Sequence, residues 1–339
     1  MFGAFRLLLA LLVVYTHLGP SHGASLGKHA VFGFYVLSGF LMTRVLNEVY
    51  RFSVLPYATN RMLRLYPLYF LVISASALAA SALALDRFDP IISNPSSSWQ
   101  WLANYLLVPM ADLSVPQLVP TSWSVAVEVI NYAILWLVVA RSKRLAWTGL
   151  AIGIGIHVWL AAGSHDTRYF PWYSALLPFS VGAITYFHAH RIRNLLSRTG
   201  EHWRTLPLAG YLVVLISAFL VGRINGSIVG ESLFYLGIGA SALVAAVLAD
   251  VTASEGARRL DRFMGDLAYP MFLIHILVAA LLNATLPGLL PRSASMVAIS
   301  TPLTLVLSAG MVAFQSAAIE PLRDRLRQQP VSPQPSTAT

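Results

Sequence analysis

The sequence predicts an all-α, polytopic membrane protein of about ten transmembrane helices with both termini in the cytoplasm, and three observations predict it. Of 339 residues, 57% are hydrophobic and only 11% are charged, with a mean hydropathy of +0.66; soluble domains carry about 25% charged residues. Apolar runs near the roughly 20 residues needed for a crossing recur about ten times along the chain. The loops between them alternate in charge, one set holding 17 of the 23 Lys and Arg and the other 5, which assigns the first set to the cytoplasm.

The runs follow in order. The first, 5–21, carries Arg6 and His17. A cleaved signal peptide is its competing reading; a short basic region and the similar segments that follow disfavour it. The second, 30–47, contains FGFYVLSGF, and the third, 65–85, follows NRMLR. Residues 86–121 are rich in Pro, Ser, Asn and Trp and are expected to cover the outer mouth of a cavity. Within them Trp99–Met110 is too short to cross and reads as interfacial or re-entrant. The fourth run, 123–140, holds Glu128. In the fifth, 145–163, Gly149 and Gly153 make a small-xxx-small pattern suited to close helix packing. Runs 172–188, 207–223 and 230–249 carry no strong signal. Run 266–286 contains Pro270, expected to kink it, and His275; run 296–317 ends the membrane part. Residues 1–327 thus form one membrane domain, and 328–339, polar and rich in Pro, Ser and Thr, are expected to be a disordered cytoplasmic tail.

Composition also excludes. There is no cysteine, hence no disulfide, thiol nucleophile or thiolate metal site. The net charge of +9 sits mostly in short loops and does not point to nucleic acid. Walker A, HExxH and GxSxG patterns are absent, as is any convincing metal-ligand spacing, so no metal is expected.

Ionisable groups inside a span are costly and mark sites or pathways. Arg6 and His17 are eleven positions apart, so they share one helix face about 16 Å apart. A neutral imidazole suits a general base acting on a hydroxyl. Glu128 is expected at the depth of His17, where it would orient the imidazole as the acid of a triad does; a structural pair with another residue is the duller reading. Trp123 reads as an interfacial anchor, and Ser124 as a cap or pocket residue. Arg61 and Arg64, at i and i+3, share a face at the cytoplasmic mouth. They are either ordinary positive-inside arginines or, with Arg6, a cluster for phosphate and pyrophosphate. Tyr35 and Ser38 sit in an aromatic stretch able to wall a channel, with close helix contact at Ser38 and Gly39 as the alternative. His275 is as well suited to packing as to function, and His157 reads as structural.

Taken together these residues resemble the membrane-bound acyltransferase-3 family, whose members O-acylate surface and exported carbohydrates. Arg6–His17 is similar to its R-x10-H motif, and FYVLSGFLM to its FFVLSGFL motif. Arg61–Arg64 with Tyr66–Pro67 resembles RxxR-x-YP. TSWSVAVEVINY carries the WS-x3-E core that ends at Glu128, and GDLAYPMFLIH, with Tyr269 and His275, is similar to G-xx-SY-xxYLxH. Glu320, Pro321 and Arg323 resemble the ExPxR element. The chain departs from the pattern at Phe32 and Val129, where acidic or amide residues are usual, and at Ala268, where the family has serine.

The resemblance implies an acyl-CoA-dependent acyltransferase in a bacterial inner membrane, its acceptor side facing periplasm or exterior. Acyl-CoA, most often acetyl-CoA, would be the co-substrate, with no permanently bound cofactor. Surface polysaccharide, such as lipopolysaccharide or exopolysaccharide, would be the acceptor. Arg6, Arg61 and Arg64 would bind the donor; His17 and Glu128 would be catalytic; Tyr35, Ser38, Trp123, Ser124, Tyr269 and His275 would line or support the pocket. Direct transfer and a transient acyl-His17 both remain open. The competing class is a proton-coupled transporter or flippase of a lipid-linked sugar or small solute, which buried His, Glu and Arg would also fit; against it stands the lack of an inverted repeat.

Overall fold

A computed structural model describes residues 1–20, 24–83, 91–163, 165–222, 227–286 and 288–328. The expected disordered tail beyond residue 328, and Arg87 and Arg223 of the charge pattern, lie outside them. Among the described residues the chain is all-helical, with no strand. In order come α1 (Gly3–Leu18), α2 (Ala24–Val45), α3 (Val54–Leu83), the short α4 (Ser98–Leu106), α5 (Ser122–Leu137), α6 (Lys143–Trp159) and the short α7 (His165–Tyr169). They are followed by α8 (Leu176–Leu196), α9 (Leu206–Gly222), α10 (Ser227–Leu248), α11 (Glu255–Thr285), α12 (Ala294–Ala318) and α13 (Glu320–Gln328). Each of the ten apolar runs coincides with one long helix. Five helical segments, Leu26–Tyr50, Val54–Leu83, Val229–Leu248, Glu255–Thr285 and Ala294–Ala318, are long and apolar enough to cross a membrane.

Serines start several of these helices. Ser97, Ser142, Ser254 and Ser293 each accept a hydrogen bond from the backbone N–H three residues on, relieving one of the unpaired donors of a first turn. The Trp99–Met110 run forms α4 and a 3-10 turn, Val108–Ala111, joined at Leu107, whose φ is +65°. It does not cross.

Two boundaries differ from expectation, and both matter for the site. α3 begins at Val54, not near 65, because Pro56 falls in its first turn, where a missing N–H costs nothing, and the arginines that follow favour helix. Arg61 and Arg64 therefore stand inside a long helix and not in a loop at its mouth. α11 likewise begins at Glu255, so Arg258, Arg259 and Arg262 are helical; Pro270 lies inside it without ending it.

The centre of the bundle is α1 and α2. α2 packs against α8, α1 and α10, and α1 against α11 and α12. Glycines set the closest approaches. A methyl on Gly39 would collide with the Phe179 carbonyl of α8, and one on Gly182 with the Val36 carbonyl of α2, so the two helices touch backbone to backbone. Gly149 and Gly153 serve the same purpose between α6 and α8: a Cβ at Gly153 would stand 2.8 Å from the Leu177 Cα. At the start of α1, Gly3 abuts the Asp261 carbonyl and the Asp261 carboxylate accepts from the Ala4 N–H at 3.1 Å, a favourable place for negative charge. Large apolar side chains remain on the outside, among them Val213, Ile216 and Leu220 on α9 and Val306, Leu307 and Phe314 on α12, as expected of surfaces meeting lipid tails.

Candidate active site

Three cavities lie in series between the helices. The middle one has a cavity volume of about 70 Å³ and gathers Arg6 from α1, Arg61 and Arg64 from α3, and Glu128 from α5. Tyr35 and Ser38 of α2, Ser124 of α5 and Tyr269 of α11 also line it. The two helical relations read from sequence, Arg6 on the inward face of α1 and Arg61 with Arg64 on one face of α3, thus bring all three guanidiniums to one space.

Glu128 is held there by two hydroxyls. Ser38 Oγ and Tyr132 Oη both donate short hydrogen bonds to its Oε1. Tyr132 was not foreseen; its signal is the i, i+4 spacing from Glu128 on α5. Tyr35 Oη donates to the Ser124 carbonyl at 3.3 Å, tying α2 to α5, and Tyr269 Oη donates to the Leu65 carbonyl at 2.9 Å, tying α11 to α3. Arg61 is only 8% exposed, yet among the described residues its one side-chain hydrogen bond is a 3.5 Å contact to Asn60 Oδ1, and its Nε and one terminal nitrogen have no partner. Buried donors left unpaired are costly, so this arrangement is suited to an anionic ligand.

A second cavity, of about 630 Å³, shares Arg6, Arg64 and Tyr269 with the first and adds Arg262, Asp266 and the α12–α13 residues Gln315, Glu320, Arg323 and Asp324. Arg323 pairs with Glu320 and donates to Asn60 Oδ1 at 3.3 Å, placing the ExPxR-like element beside Arg61. Gln315 donates to the Arg64 carbonyl at 3.2 Å.

The third cavity, of about 150 Å³, is lined by His17, Lys28 and Thr16, with Trp123, Tyr169 and Phe170 as an aromatic wall. It shares Val31, Ser124 and Phe272 with the middle cavity. Trp123 is half-buried and packs edge-on against Tyr169 and Phe170, so it is a chamber wall more than an outward anchor. Phe272 was also not foreseen. Its ring meets Phe34 edge-on, and its carbonyl accepts from Thr121 Oγ1 at 2.9 Å, which fixes it between the two chambers.

One expected contact does not form. Glu128 does not orient His17. The carboxylate is held by Ser38 and Tyr132 in the middle cavity, whereas His17 borders the next one, and no hydrogen bond joins the two. The partner of His17 is His275: His17 Nδ1 and His275 Nε2 are 3.0 Å apart. His275 is fully buried behind His17, and its Nδ1 lies 3.0 Å from the Met271 carbonyl one turn back. His157 is bonded at both ring nitrogens, to Tyr235 and the Ser174 carbonyl, as a structural histidine should be.

No curated protein and no solved structure matches the chain. A family described as an acyltransferase domain, acyltransferase-3, matches residues 2–313, a stretch that includes every residue lining the middle and outer cavities. The chain therefore belongs to the acyltransferase-3 family and is a membrane acyltransferase.

Proposed function

We propose that this membrane acyltransferase moves an acyl group, most often acetyl, from cytoplasmic acyl-CoA to a hydroxyl of a surface or exported saccharide, with His17 as general base. The observation that carries the reading is the series of cavities sharing walls from the arginine cluster to His17. Arg6, Arg61 and Arg64 hold the phosphates of the donor, for which guanidinium forks are well shaped. The offset of about 16 Å between Arg6 and His17 along α1 suits the thin pantetheine arm. Glu128 offsets part of the arginines' charge and, through Ser38, ties α5 to α2 beside the donor.

In the outer chamber the saccharide lies against the Trp123, Tyr169 and Phe170 wall. The His17 imidazole takes the proton of the acceptor hydroxyl as its oxygen attacks the thioester carbonyl carbon. The tetrahedral intermediate collapses with cleavage of the C–S bond; the thiolate leaves as CoA and recovers the proton from the imidazolium. The ester oxygen comes from the acceptor, so one proton is moved and none is consumed.

The positive-inside pattern supports ten crossings, cytoplasmic termini and an acceptor side facing periplasm or exterior of a bacterial inner membrane. The purified protein in lipid nanodiscs, given acetyl-CoA and the cell's own surface polysaccharide, should release CoA and form an alkali-labile ester, and surface polysaccharide from cells lacking the gene should lose that ester. Solute flux into liposomes with no need for CoA would instead favour a carrier.

A further inference from the structure

We infer that His275 is a positioning residue that sets the tautomer of His17, in the place the sequence assigned to Glu128. The inference rests on the reading of His17 as the base and adds how that base is made ready. A carbonyl oxygen only accepts, so the 3.0 Å contact of His275 Nδ1 with the Met271 carbonyl requires the proton on Nδ1. A neutral imidazole with its proton there presents a lone pair at Nε2. That lone pair meets His17 Nδ1 at 3.0 Å, with the two ring planes 28° from parallel. His17 Nδ1 must then be the donor, and the His17 lone pair is at Nε2.

The other three nitrogens of the pair are thus committed; beside His275 the His17 ring meets the Val13 backbone one turn back, no side chain of a described residue hydrogen-bonds its Nε2, and His17 borders the outer cavity. The acceptor's proton arrives at this atom. When it does, the positive charge on His17 is shared through the Nδ1–H bond with a second imidazole whose own dipole is anchored on the backbone of α11. The anchoring carbonyl is one turn back along the same helix, so His275 cannot rotate to reverse the relay without losing that bond. A carboxylate is not needed to hold the base, and in a fully buried position a neutral partner avoids the desolvation cost of a charged one.

The test compares His275→Leu, which removes the acceptor, with His275→Gln, whose side-chain carbonyl can accept from His17 Nδ1–H. In nanodiscs, His275→Leu should lower kcat for acetyl transfer by about 10²–10⁴-fold, the range in which a general base is lost or misprotonated, while KM for acetyl-CoA stays within about twofold. His275→Gln should recover about tenfold or more of that loss. In the wild-type protein, ¹⁵N resonances of labelled histidine should place His17 Nε2 in the unprotonated range and Nδ1 in the protonated one. Equal activity of His275→Leu and wild type would overturn the proposal. So would equal loss in both variants with acetyl-CoA binding intact, or a His17 protonated at Nε2 in the resting state. Failure of the wider reading looks different: wild-type protein that forms no ester, or His17→Ala that still does, while the nitrogen assignment stands on its own.

Discussion

The middle chamber concentrates charge, three guanidiniums against one carboxylate, whereas the outer chamber presents His17, backed by His275, beside Lys28 and a wall of aromatic rings. α2 runs past both, contributing Ser38 to the charged space and Lys28 and Val31 to the aromatic one. The difference teaches that the two ends of the path solve different problems. On the proposed function, the first holds a polyanion and the second holds one lone pair still. Substitutions in the two chambers should therefore separate in kinetics.

The largest effect belongs to the outer chamber. His17→Ala should lower kcat by about 10²–10⁴-fold with the donor KM nearly unchanged, read in the nanodisc ester assay; a variant that forms ester at the normal rate ends the assignment of His17 as base. Next comes the middle chamber. Arg61→Ala should raise the KM for acetyl-CoA by about 10–100-fold, the worth of a charge-assisted hydrogen bond of roughly 1.5–3 kcal/mol, with a smaller change in kcat. Should kcat fall alone, the division of labour between the chambers is wrong.

A third substitution probes the scaffold that both share. Gly39→Leu pushes a side chain into the Phe179 carbonyl and should cost about 1–3 kcal/mol of stability or more, visible as a lower melting temperature in detergent and as loss in both kinetic parameters together. The smallest effect is expected at Ser38→Ala. It removes one of the two hydroxyls on Glu128 and should cost about 0.5–1.5 kcal/mol, seen as a several-fold rise in donor KM. An effect confined to kcat there would bring Glu128 back into the chemistry of His17.

Much of this arrangement was legible in the sequence, for a physical reason. Arg6, Arg61, Arg64 and Glu128 interrupt apolar stretches, and a charge in such a place has few inexpensive positions other than a shared interior. The ten helices were legible for the same reason, as alternation of apolar runs with turns. Pairing was not. His17 and His275 are 258 residues apart in the chain, and only the packing of α1 on α11 brings them together. Glu128 was matched to His17 by helical rise, which measures depth along α5 but not where α2 supplies hydroxyls. Phe272 gave no cue because aromatic residues are ordinary in membrane helices, and Tyr132 gave only its i, i+4 spacing from Glu128. The start of α3 was missed because polar, helix-favouring residues precede its apolar part.

Phe272, fixed through its carbonyl by Thr121 and facing Phe34, has a consequence for the cell as well as for the reaction. A file of water joining guanidiniums on one side to an imidazole on the other would conduct protons and run down any gradient the membrane maintains. A greasy ring at the junction breaks that wire. An acyl group passed outward as proposed would then cross without opening a route for protons.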